Sequence, residues 1–566
     1  MPRAPYTRVF AGTHEFPRPT KSNPALAANP VKGLDCRALS PTRPTKGSAT
    51  TSNPTGSMAN DPVTGLAEPT PIAEVPLGGG FFGHPRGLAT LFFTEMWERF
   101  SYYGMRALLV LFMTAAATGT NPGLGFDVGK ATAIYGLYTA MVYLMALPGG
   151  WVADKLWGQR KAVFVGGCII AAGHFSMAIP PVPFFYLGLS LVVIGTGLLK
   201  PNVSTIVGDL YPEGGARRDA GFSIFYMGIN LGAFFGPILC GLLGENYNWH
   251  LGFSLAGIGM VVGLIQYKLD ARHLGPAGYL NTGESDEVVR QRAGSFYKVL
   301  AGVAVVLVVL AMLMNTGAIN LSLQQIATVL GYGIIAMAIL YFVYLLTAGG
   351  HTTDEKKKLI VIFWLFILAA LFWSGFEQAG SSLNLFAAEN TDRVVFGWEA
   401  PASWLQSVNA LFIIIFAPVF GFIWVWLARR NANPSIPLKF ALGLLGLAAG
   451  FFVIAWGAAN ATNGNLVSPS WLIVTYFLHT VGELCLSPVG LSSITKLAPR
   501  GRVGQMMGVW FIGASLGNLF AGLVAGRLES LAPASLFSNV AIFVSVSGVI
   551  ALLLSPGVKR LMGDVR

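Results

Sequence analysis

The sequence predicts an all-α polytopic membrane protein with fourteen transmembrane helices. Three observations carry that reading. Of 566 residues, 54% are hydrophobic and only 11% charged, against roughly a quarter charged in soluble domains. Apolar runs of about 20 residues, long enough to cross a hydrocarbon core of roughly 30 Å, fill nearly everything after Leu88. Basic residues gather in alternate loops, and this membrane-topology pattern accounts for the net charge of +11 without a nucleic-acid partner.

Residues 1–79 are rich in Pro, Ser, Thr, Ala and Arg and hold no apolar run of signal-peptide length, so they are expected to be a disordered tail. Met58 opens a more ordinary polar leader, which marks residues 1–57 as an extension whose translation is optional. From there the periodicity predicts helices over about 88–117, 130–153, 161–180, 183–208, 219–244, 250–269, 296–316, 322–347, 358–387, 402–428, 437–459, 470–497, 503–528 and 536–557. The loops DKLWGQRK, EGGARRD, DEKKK, ARRN and KLAPRGR, with the charged 268–298 linker, alternate with loops nearly free of Lys and Arg, which places both termini in the cytoplasm. Cys168, Cys240 and Cys485 fall inside spans and Cys36 in the tail, a spacing that offers no disulfide framework.

The seventh and eighth helices stand apart. No charged residue lies between Val299 and Gly350, and the pair begins and ends on one side, so it is expected to be dispensable for topology and largely for activity. Six plus six helices remain, joined by a polar linker. This resembles the major facilitator arrangement, in which substrate binds between two six-helix halves near the midplane. The domain reading is a tail at 1–79, an N-terminal bundle at 80–270, linker and hairpin at 271–357, and a C-terminal bundle at 358–566.

Charges inside the first helix need a reason, because each costs about 2.5–3.5 kcal/mol on insertion scales unless it faces a bundle interior or an aqueous cavity. Taking about 100° per residue from Glu95, Glu98 falls near 300°, Arg99 near 40°, Tyr102 near 340°, Tyr103 near 80° and Arg106 near 20°. They are expected to share one face and look into a cavity. Lys200, Glu377 and Glu483 are ionisable residues in other spans, giving four acids against three bases. A carboxylate taken out of water without a counter-ion can carry a proton, and nearby cations can reverse that preference between conformations.

The segment E-M-W-E-R-F-S-Y-Y (Glu95–Tyr103) resembles the ExxERFxYY signature of the proton-dependent oligopeptide transporters. GTGLLKPNVSTIVGDLY and FSIFYMGINLGAFFGP are similar to that family's fourth- and fifth-helix signatures, and WLQSVNALFIIIFAPVF and GELCLSPVGLSSITKLAP extend the likeness into the second half, over roughly residues 81–560. The inserted hairpin resembles that of the prokaryotic members. The resemblance implies proton-coupled uptake of di- and tripeptides with broad side-chain tolerance. It implies Glu95, Glu98, Arg99, Lys200 and Glu377 for proton coupling, with Arg106 and Glu377 linking the halves. Substrate contacts are implied for Arg106, Tyr102, Tyr103, Tyr143, Lys200, Asn230, Trp373, Asn409, Glu483 and Trp510, with Phe376 and Phe511 in side-chain pockets and Tyr138 as a substitute for Tyr143. Glu483 is implied to receive the peptide's ammonium. The second core helix lacks the histidine with which animal members handle protons, so carboxylates are expected to do that work.

Each of these residues has a structural alternative: ion pairs that only hold helices together, interhelical asparagine hydrogen bonds, and aromatic packing. His174, His250 and His479 read as loop or packing residues without metal-ligand spacing, and no cofactor is indicated. An intramembrane enzyme finds no support, for the chain shows no Ser/His/Asp set, no HExxH and no phosphate-cradling glycine loop. The alternative within transporters is a different solute, such as nitrate or a peptide-like drug. The expected setting is the plasma (inner) membrane, with a monomer exchanging peptide and protons across the bilayer.

Overall fold

The computed structural model describes residues 80–213, 215–461, 464–499 and 502–563. The expectations for residues 1–79 lie outside these. Sixteen α-helices follow in order: α1 (Arg86–Thr114), α2 (Val128–Leu144), α3 (Ala146–Val152), α4 (Gln159–Met177), α5 (Val182–Asp209), α6 (Gly215–Asn246), α7 (Trp249–Asp270), α8 (Asp286–Asn315), α9 (Leu323–Thr347), α10 (Thr353–Phe376), α11 (Ser382–Glu389), α12 (Ser407–Arg429), α13 (Ile436–Asn460), α14 (Ser470–Leu497), α15 (Val503–Ala525) and α16 (Pro533–Leu561). α2 continues through α3 into a π-turn ending at Trp157, and α10 continues through a 3₁₀ turn into α11, so the sixteen make fourteen membrane-length passes. Twelve of these are long and apolar enough to be recognised by hydropathy alone. The other two are α1, which holds Glu95, Glu98, Arg99 and Arg106, and the 19-residue α4.

Two predicted helices differ from expectation. The first hairpin helix starts ten residues before the expected 296, at Asp286, because acids in its first turn suit a helix N-terminus. The helix expected over 358–387 is broken at Glu377–Gly380, where the sequence EQAGSS brings Gly and two serines into its path.

α1, α4, α5, α6 and α7 pack on one another, as do α10, α13, α14, α15 and α16. Contact between the two groups runs through α2 against α15 and α6 against α12. The α2/α15 contact is nearly backbone on backbone: a Cβ added to Gly522 would lie 2.4 Å from the Thr132 carbonyl oxygen and 2.6 Å from the Gly136 Cα. Gly158, at φ +75°, turns the chain into α4 hard against the backbone of Leu280, a conformation that favours glycine.

The hairpin divides into unlike halves. α9 buries Ala327, Gly331, Ile334, Ala338, Phe342 and Leu345, and with Ala140 of α2 and Leu519 of α15 its Ala327 forms a small apolar cluster across the seam. The apolar stretch of α8 from Val299 to Leu310 is exposed throughout. Cys240 and Cys485 are buried, whereas Cys168 faces outward instead of packing.

Candidate functional site

A cavity of about 1240 Å³ lies between the two groups of helices. Its walls include Tyr103, Arg106, Tyr143, Lys200 and Asn230 from the first group, and Trp373, Glu377, Asn409, Glu483 and Trp510 from the second. Phe376 and Phe511 also line it. The lining continues to Pro276–Tyr279 of the linker, so the cavity reaches the face that carries the linker.

The opposite face is closed by hydrogen bonds between the groups. Asn384 donates to the Ala107 carbonyl at 2.8 Å, Ser407 to the Phe234 carbonyl at 2.8 Å, and the Trp404 indole to the Ile238 carbonyl at 2.9 Å. The Glu245 carboxylate accepts from the backbone N–H of Ala402 at 2.7 Å and of Ser403 at 3.0 Å.

Arg106 joins the halves at the cavity's inner end. Its Nη2 stands 2.8 Å from Glu377 Oε2, and its Nε donates to the Tyr135 hydroxyl at 2.7 Å. That hydroxyl in turn donates to the Glu377 carbonyl at 3.4 Å. Glu377 sits at the start of the 3₁₀ turn, so the helix break presents both its carboxylate and its carbonyl to the partner group. Tyr135 was not among the tyrosines singled out from sequence. Its signal is its position one turn before Tyr138 on the same helix.

The charged signature on α1 is placed differently from expectation. Tyr103 and Arg106 line the cavity, but Glu95, Glu98, Arg99 and Tyr102 do not. They are buried behind it, with Glu98 fully so. Arg99 Nε is 3.2 Å from Glu95 Oε1 and also contacts Glu98 Oε2, forming a compact cluster of two carboxylates and one guanidinium. The rings of Tyr102 and Tyr103 lie 5.1 and 5.9 Å from the guanidinium carbon.

α6 covers this cluster because Gly228, Gly232 and Gly236 present no Cβ toward α1. One added at Gly232 would fall 2.1 Å from the Met96 carbonyl oxygen and 2.9 Å from Arg99 Cβ. Lys200 forms no ion pair within 4 Å among the described residues; its ammonium stands 4.1 Å from the centre of the Tyr143 ring. Tyr138 stays out of the cavity, stacked on Tyr102 at 6.4 Å.

On the far wall, Asn409 donates to the Thr480 hydroxyl at 2.9 Å and to Glu483 at 3.4 Å, while Asn230 donates to the Tyr226 carbonyl at 2.9 Å. His479, one turn before Glu483 on α14, is buried against Phe451, and His174 is buried within α4. Both are packing residues. Thus one wall carries free cations and the other a carboxylate, with amide and aromatic side chains between them.

A family profile described as the POT family matches residues 160–535. The chain belongs to the POT family. It is similar to the peptide transporter YePEPT of Yersinia enterocolitica subsp. palearctica serotype O:3 (strain YE-P4), 44% identical over 507 residues that cover 87% of this chain and 98% of the relative. It is also similar to a di-/tripeptide transporter of Lactococcus lactis subsp. cremoris, 38% identical over 493 residues, covering 86% and 98%. A crystal structure of peptide transporter POT in complex with alafosfalin superposes with a TM-score of 0.78 at 43% identity, covering 87% of this chain and 98% of that one. This POT-family chain is therefore a multi-pass membrane protein of the major facilitator fold.

Proposed function

We propose that this POT-family chain carries di- and tripeptides together with protons into the cytoplasm by alternating access. Its expected setting is the plasma membrane, with both termini cytoplasmic and the monomer as the working unit. The relatives' names as peptide and di-/tripeptide transporters support the substrate class. The observation that carries the reading is the Arg106–Glu377 pair, placed between the halves at the closed end of a cavity with cations on one wall and Glu483 on the other.

A zwitterionic peptide leaving water needs an anion at one end and cations at the other. Glu483 takes the ammonium and Lys200 and Arg106 the carboxylate, while Asn230 and Asn409 serve the amide. Side chains then fall among Trp373, Phe376, Trp510 and Phe511, which set volume more than identity. A proton on Glu377, or a peptide carboxylate competing for Arg106, ends the pairing and frees the halves to rock. The buried Glu95–Glu98–Arg99 cluster lies behind the wall that holds Lys200, where a change in its charge acts on Lys200 rather than on the peptide.

Uptake of radiolabelled dialanine into proteoliposomes under an inward proton gradient tests the proposal. Gradient-dependent accumulation, competed by di- and tripeptides but not by nitrate, supports it. A relative's complex with alafosfalin makes that compound the second competitor to include. Accumulation that ignores the proton gradient removes the coupling.

A further inference from the structure

Lys439 lies in the first turn of α13 at only 7% exposure. It makes no hydrogen bond or ion pair with any described residue, and its ammonium stands 4.2 Å over the Trp424 ring of α12. This is an adverse place for a cation, because the free N–H groups of a helix start already present positive charge. α13 does nothing to offset it: its first turn has no acid, and the Ser435 side chain makes no capping hydrogen bond. Side chains slope toward a helix's N-terminus, so Lys439 reaches toward that uncapped end.

More cations surround the same end. Arg429 and Arg430 close α12, with the Arg430 guanidinium 4.1 Å over the Trp426 ring, and Lys496 lies in the last turn of α14. The only Asp or Glu between Ala400 and Leu528 is Glu483, which belongs to the cavity. A buried ammonium without a counter-charge is costly. Here the chain supplies three further cations and no anion, so the counter-charge must come from outside. At a membrane surface bordered by two tryptophans, the anion within reach is a lipid phosphate.

We propose that Lys439, the uncapped start of α13 and the Arg429–Arg430 pair form a binding site for the phosphate of an anionic phospholipid headgroup. The site lies on the linker side of the second half, outside the substrate cavity. Lys439 and the backbone N–H groups hold the phosphate, and the two arginines meet its outer oxygens. The paired tryptophans lie at headgroup level and flank the glycerol.

The test uses the purified full-length protein in neutral detergent, titrated with phosphatidylglycerol, phosphatidylcholine or inorganic phosphate, reading Tm and, by native mass spectrometry, bound lipid. Phosphatidylglycerol is expected to raise Tm by mass action and to stay bound through detergent removal, with phosphatidylcholine much weaker. Lys439→Gln should abolish that rise, and Arg429→Gln/Arg430→Gln should at least halve it. The double variant alters exposed residues, so it decides the matter if Lys439→Gln fails to fold. An unchanged rise in the double variant or in folded Lys439→Gln overturns the site. An equal rise with inorganic phosphate overturns the lipid as its source.

Discussion

Arg106 and Glu377 stand 2.8 Å apart across the seam between the halves, and Tyr135 bonds to the guanidinium of one and the carbonyl of the other. The three groups form a lock with one titratable acid. Lys200, by contrast, is left without an ion pair and faces the cavity. The carboxylate of an arriving peptide therefore meets a free cation first and a paired one second.

Glu377→Gln keeps the volume and a hydrogen bond to Arg106 but removes the titratable charge. Proton-driven accumulation of dialanine should fail, while peptide-for-peptide exchange, which needs no net proton movement, should continue near the wild-type rate. Concentrative uptake at wild-type rate by this variant would move coupling to the Glu95–Glu98–Arg99 cluster.

Tyr135→Phe removes one hydroxyl from the lock. The loss of a hydrogen bond worth about 0.5–1.5 kcal/mol corresponds to roughly a 2- to 12-fold change in the closed-to-open ratio. Accumulation should drop by a factor in that range, with dialanine affinity within twofold because Tyr135 does not line the cavity. Uptake and binding measured side by side separate the two quantities.

Glu483→Ala should abolish uptake and reduce dialanine binding at least 100-fold, since a charge-assisted contact of about 1.5–3 kcal/mol goes and the ammonium loses its counter-ion. Amino-acetylated dipeptides should compete poorly against the wild type. Equal competition by free and acetylated dipeptides removes this role.

The hairpin gives a fourth prediction, which revises the expectation of dispensability. Ala327→Trp, placed where α9 meets Ala140 and Leu519, overpacks a closed contact at a cost of about 1–3 kcal/mol and should lower both Tm and uptake. Val306→Trp on exposed α8 should change neither. If excision of residues 296–347 leaves uptake and Tm intact, α9 contributes nothing to the seam.

Much of this was legible in the sequence. Charges in an apolar helix announce themselves, and the spans, the inserted pair and the cavity residues Arg106, Lys200, Glu377, Asn409 and Glu483 followed from where polar residues interrupt apolar runs. The error on α1 has a physical origin. Azimuth around one helix gives a face but not what covers it, and at the level of Glu95 and Arg99 the glycine ridge of α6 lies against that face. The ridge was readable as Gly228, Gly232 and Gly236, but its partner was not. Tyr135 was missed for a similar reason: Tyr135, Tyr138 and Tyr143 are alike in sequence, and only the position of α10 across the seam selects the first. The break at Glu377 had a local signal in Gly380–Ser382, outweighed by the long apolar run before it.

The closure of α2 on α15 rests on Gly136 and Gly522, main chain on main chain, with no charge or titratable group at their contact. Such a barrier cannot be commanded by voltage, salt or protons; it answers only to distance. Timing must therefore be set elsewhere, at Arg106 and Glu377, and the chain has divided insulation from ignition. A carrier wired this way can be retuned for a new driving ion without loosening its seal, and its seal can be tightened without altering what drives it.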